Sequence, residues 1–119
     1  MYGGTARANE STTEGQASEL ALDEVYILSL PSFVWFKAEY NPIASKYAHT
    51  CHVVGAGQRQ LLTIGGMDMK TANDSGYKDT FGQGLGIFDL TNLTWSTSYN
   101  LSAANYTTPQ KIKQYLASV

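Results

Sequence analysis

The sequence predicts an all-β chain: about one and a half units of four-stranded antiparallel sheet, followed by a short C-terminal helix. Three observations carry that expectation. A strand pattern recurs at a spacing of sixty residues. The recurring segments are rich in β-branched and aromatic residues and end in turn pairs. Diglycines and tryptophans recur along with them.

Val25-Tyr26-Ile27-Leu28-Ser29-Leu30 returns in pattern as Leu85-Gly86-Ile87-Phe88-Asp89-Leu90, sixty residues on. Two turn residues follow each copy, Pro31-Ser32 and Thr91-Asn92, and the same offset carries Phe33-Val34-Trp35 onto Leu93-Thr94-Trp95. Gly3-Gly4 matches Gly65-Gly66 at an offset of sixty-two, the difference falling in a variable connection.

Residues 24–30 and 84–90 read as strands that end in two-residue hairpin turns, and 33–37 and 93–99 as the strands that return. Between the copies lie Ala48–Val54 and Arg59–Ile64, joined by the short loop Gly55-Ala56-Gly57-Gln58. A diglycine ending a strand suits a place where a neighbouring side chain must approach the backbone closely. At the C-terminal end, Thr108 reads as a cap and Pro109 as the first helical residue, with Ile112, Tyr115 and Leu116 at helical spacing. The organisation is then a partial unit (1–40), a complete unit (41–100) and a tail with a short helix (101–119).

Four strands, a diglycine closing the second and a tryptophan in the fourth resemble the kelch repeat of β-propellers. Gly3, Gly4, Trp35, His49, Gly65, Gly66 and Trp95 carry the motif, with His49-Thr50, Val53-Val54-Gly55 and Ile87-Phe88-Asp89-Leu90 around them. The chain looks most like a fungal group of secreted or membrane-anchored kelch proteins, within the galactose oxidase and kelch-like propeller superfamily. One departure is Lys46-Tyr47, where many kelch repeats have an arginine before the His-Thr pair. The resemblance implies one tryptophan per blade filling the wedge between sheets. It also implies a fragment, because propellers need about four to eight blades of roughly fifty residues each. The remaining blades would come from a missing portion of the chain or from other chains, and a truncated gene model is the simplest source. An isolated blade and a half, with unpaired strand edges, is expected not to be a stable monomer.

Composition narrows the function classes. Of the 119 residues 43% are apolar and 15% charged, which is ordinary for a folded protein, and the net charge is −2. Such a chain lacks the clustered Lys and Arg of a nucleic-acid surface. No stretch nears the roughly 18 apolar residues needed to span a bilayer. Five of the six asparagines stand in N-x-S/T sequons: Asn9, Asn73, Asn92, Asn100 and Asn105. With Ser and Thr at 22 of 119 residues, chance would put about one there. The expectation is a glycosylated parent of the secretory pathway, extracellular or membrane-anchored; the alternative is a cytoplasmic protein with accidental sequons. Cys51 is the only cysteine, which leaves no internal disulfide; in a fragment its partner would lie in the missing portion.

Antiparallel strands place the short connections at one end of the sheets and the long ones, 5–23, 38–47 and 67–83, at the other. Long loops on a rigid scaffold are where binding usually resides. In the last of these, Tyr77 and Phe81 beside Lys78 and Asp79 read as an exposed aromatic anchor.

Chemistry is scarce. His49 and Cys51 share one side of a strand and His52 the other, but a metal needs three or four ligands and no further cluster appears. Asp68, Asp74 and Asp79 miss the EF-hand spacing, and Gly82-Gln83-Gly84-Leu85-Gly86 precedes a strand, unlike a phosphate loop. Neither a catalytic residue nor a cofactor is expected. The favoured function is a non-catalytic scaffold that binds an unidentified protein or glycan. The alternative is part of a secreted kelch oxidoreductase whose active site lies in other blades; nothing here matches a tyrosine and histidine copper site.

Overall fold

The computed structural model describes residues 1–2, 5–7, 19–21, 24–30, 32–38, 47–67, 79 and 81–119. The fold is mostly β, in antiparallel sheets, with one short C-terminal helix. Strands β1 (Thr5–Arg7) and β2 (Glu19–Ala21) pair as a small ribbon, Thr5 opposite Ala21. The segment 5–23, expected to be a plain loop, therefore contains sheet of its own.

The first unit follows. Strand β3 (Tyr26–Ser29) pairs with β4 (Val34–Lys37). On its other side Tyr2 bridges Val25, and Met1 and Tyr26 exchange hydrogen bonds of 2.7 and 2.8 Å. The second unit is a four-stranded sheet in sequence order: β5 (Tyr47–Val54), β6 (Gln60–Met67), β7 (Leu85–Asp89) and β8 (Thr94–Ser96).

The sequence repeat reappears as a repeat of register. Leu28 stands opposite Trp35, and sixty residues later Phe88 stands opposite Trp95. Ser29 faces Val34 as Asp89 faces Thr94, and the bridge of Tyr2 to Val25 matches the pairing of Ile64 with Leu85. Since a one-residue slip would turn every side chain to the opposite face, shared register means shared facing.

Several local expectations need correction. The hairpins do not turn on two residues. The last pairs are Ser29 with Val34 and Asp89 with Thr94, so four residues separate the strands of each hairpin, and the strands stop correspondingly short, β8 at Ser96 instead of residue 99. Leu30 and Leu90 leave their strands because Phe33 and Leu93 take left-handed backbone and close a wider turn. The diglycine does not end its strand: β6 runs through Gly65 and Gly66 to Met67, which pairs with Tyr47. Nor does Gly65 admit a close neighbour. A Cβ built there would meet nothing within 4 Å; its φ of +70° is what requires glycine.

Helix α1 (Gln110–Ser118) begins one residue later than expected, with Pro109 at its N-cap in extended backbone. Ile112 is buried, and Tyr115 meets Phe36 of β4 edge-on at 5.3 Å. Leu116, expected on the same apolar face, is exposed.

The core lies between the two units. Tyr2, Val25 and Ala38 of the first pack on Phe88 of the second, with Leu61, Leu90, Leu93 and Trp95 around them. The Trp95 ring sits 4.9 Å from Tyr2 and 5.0 Å from Phe88, between the sheets. Trp35, expected to do likewise, is 55% exposed, because nothing among the described residues covers its face of β4.

Candidate functional site

The loop end of the second sheet contains Asp79 and Phe81. Phe81 corrects the expectation of an exposed anchor, being only 1% exposed. Its ring stacks at a tilt on Trp95, 5.1 Å between centroids. It also lies on Gly86: a Cβ there would come within 2.8 Å of both the Phe81 ring and the Thr63 hydroxyl. This, and not the diglycine, is the close approach that demands glycine. Asp79 accepts the Phe81 N–H at 2.8 Å, closing a local turn that aims the ring inward. Phe81 is therefore scaffold. Gly82 and Gln83, next along the chain, are exposed.

At the opposite end lies a feature that the sequence did not reveal. A cleft of about 440 Å³ opens between the units, lined by Ile27 from the first and by Val53, Gly55, Gln58, Leu90 and Tyr106 from the second. That volume is in the range of small-ligand sites. Its lining is mainly apolar, with Gln58 and Tyr106 supplying polar groups. The signal was weak because Tyr106 lies in the tail, whose path no periodicity marks. The tail reaches the cleft because the Tyr106 N–H donates to Gly57 O at 2.8 Å.

One wall is held by charge. Arg59 Nε donates to both carboxylate oxygens of Asp89 at 3.0 Å, and Leu90 N–H donates to Arg59 O. Asp89 Oδ1 also accepts the N–H groups of Thr91 and Asn92. Partial burial opposes the charge on Asp89, but the Asn92 N–H, Arg59 and the Thr91 N–H outweigh it and hold the carboxyl below its ordinary range.

His49 packs its ring on Tyr2 at 4.9 Å, which gives it a place in the contact between units. Cys51 shares its side of β5 and His52 faces the other, as strand alternation requires. Desolvation raises the Cys51 thiol above its ordinary range, which disfavours a reactive thiolate. Among the described residues no group of three His, Cys, Asp or Glu is placed to hold a metal, and no helix is long and apolar enough to cross a membrane.

Asn92, Asn100 and Asn105 are all exposed. Gly3, Gly4, Asn9, Asn73, Tyr77 and Lys78, with Asp68 and Asp74, lie outside the described residues. No protein-family model matches the chain, and neither curated proteins nor solved structures yield a match.

Proposed function

We propose that the chain is a portion of a kelch-type β-propeller that serves as a non-catalytic scaffold, binding a protein or glycan in the secretory pathway or at the cell surface. The observation that supports this reading best is the recurrence of one strand register in two units packed face to face, with Trp95 between them. Sheets stacked in this manner are a rigid frame, and binding on such frames is done by the connections. With Phe81 assigned to the core, Tyr77 and Lys78 carry the interaction reading for the long loop.

Glycan and peptide arrays probed with the chain test the proposal. The expected result is saturable binding to one class of ligand, weakened roughly thirtyfold by Tyr77→Ala, the loss of a hot-spot side chain worth about 2 kcal/mol, with Tm unchanged. Binding that ignores the loop, or no binding at all, counts against it. The compartment is tested separately by expression in a glycosylating host. Glycosidase digestion should shift the mobility of the wild type, and replacing Asn92, Asn100 and Asn105 by Gln should reduce that shift.

A further inference from the structure

The repeat gives each residue of one unit a counterpart in the other, and the counterparts differ in burial by face. Phe88 is fully buried, while Leu28, its counterpart, is 37% exposed. Trp95, Leu90 and Leu93 pack against the core; their counterparts Trp35, Leu30 and Phe33 are exposed. On the opposite faces Tyr2 and Val25 are 9% and 2% exposed, against 41% and 39% for Ile64 and Leu85, while Ile87 in the middle of that second-unit face stays buried at 6%. So the first unit lays its Tyr2–Val25 face on the Trp95 face of the second. Left over are the Trp35 face of the first unit and the Ile64–Leu85 face of the second.

These leftover faces are the register counterparts of the two surfaces that already fit each other within the chain, although the first unit's face carries Tyr26, Leu28 and the Lys37–Glu24 ion pair where the second has Gly86 and Phe88. We propose that they are the halves of one heterologous interface, and that a second copy of this chain occupies it head to tail. Trp35 of one copy would take against Ile64 of the next the place that Trp95 takes against Tyr2. A receiving groove of about 390 Å³ is present beside Leu85, lined by Val54, Leu62, Leu85, Ile87, Thr97 and Tyr99. The occupant follows from continuity with the internal interface, since a second copy of this chain presents a sheet of the same register. Because the two faces are different, association does not close at a pair; it extends until a ring or a filament forms. The proposal rests on the repeat and is independent of the binding reading above.

Sedimentation of the wild type, Trp35→Glu, Leu85→Glu and an equimolar mixture of the two variants tests it. Both positions are exposed in the single chain, so neither substitution removes core. The wild type should gain mass with concentration, and each variant should remain at 13.0 kDa. The mixture should form a species of twice that mass and no larger, because it contains one intact pair of faces per two chains. A wild type that stays at the single-chain mass at every concentration, or a mixture that stays there, overturns the proposal; the first outcome would assign the faces to other partners. A measurement on the wild type alone guards against misfolded variants. Its tryptophan emission should shift to the red on dilution as Trp35 enters water, and emission independent of dilution also overturns the proposal.

Discussion

Phe33 and Leu93 share one backbone conformation, φ 55° and 58°, at the last position of equivalent hairpin loops. Each donates its N–H at 2.8 Å to the carbonyl four residues back, on Ser29 and Asp89. A left-handed conformation costs a residue with a Cβ about 1 kcal/mol, so both units carry the same local strain in the same place. What differs is the side chain, exposed at Phe33 and packed against the core at Leu93.

Glycine at these two positions should therefore act with opposite signs. Phe33→Gly relieves the strain and loses little burial, so stability should rise by up to about 1 kcal/mol. Leu93→Gly relieves the same strain but gives up about 2 kcal/mol of apolar burial, for a net loss. Urea titrations at low protein concentration would show it. Changes of the same sign at both sites would mean that the shared turn is not the controlling feature.

Phe81 and Gly86 should be coupled. Phe81→Ala removes a fully buried ring, a loss of about 3 kcal/mol or more. Gly86→Ala forces a methyl group against the ring and the Thr63 hydroxyl, a loss of about 1 to 3 kcal/mol. In the double variant the methyl occupies space that the ring has left, so the combined loss should fall short of the sum by about 1 kcal/mol. Strict additivity in thermal denaturation would contradict the contact.

The repeat was legible because it is written in residue types: the β-branched strands and the tryptophans keep a spacing of sixty, and the diglycines one of sixty-two, so the repeat survives a variable connection. Periodicity likewise placed all four strands of the second unit and the helix within a few residues. Phe81 was not legible, since an aromatic in a long connection looks the same whether it faces water or folds onto a glycine twenty-three residues from Thr63 and nine from Trp95. Nor was the role of Gly65 and Gly86 legible. Both are glycines in strands, and only the φ of one and the crowding at the other tell conformational need from close approach. The cleft was hidden because its Tyr106 wall depends on how the tail crosses the sheet.

Asp89 predicts an acid limb to stability. Its carboxyl titrates below the unfolded value of 3.8 in the folded chain, so the folded state favours the charged form. The stabilisation is complete above that unfolded value and is lost as pH falls through the lower folded one. Asp89→Asn removes the ion pair to Arg59 at every pH, while its side-chain oxygen can still accept the turn N–H groups. The variant should be less stable at neutral pH and should lose less on acidification than the wild type. Parallel curves of stability against pH would exclude Asp89 as the titrating group.

The tail is fastened by side chains that imitate strand partners. Gln60, buried at the start of β6, donates from Nε2 to Asn100 O at 2.9 Å and accepts the Asn100 N–H on Oε1 at 2.8 Å. The Thr91 hydroxyl does the same for Thr107, donating to its carbonyl at 2.9 Å and accepting its N–H at 3.0 Å. Gln60→Met keeps the volume and removes both bonds, a loss of about 1 to 2 kcal/mol, and the Asn100 amide should exchange with solvent faster by tenfold or more. Gln60→Glu separates the two bonds. Its carboxylate still accepts the Asn100 N–H but sets a negative charge against the Asn100 carbonyl, which retains only the longer 3.3 Å bond from Ala103 N–H. The glutamate variant should therefore be the less stable of the two at neutral pH and recover as acid protonates the carboxyl and restores a donor. Hydrogen exchange read at Asn100 and Tyr106 decides the matter: equal protection in wild type and Gln60→Met would show that the tail is held without the Gln60 clamp.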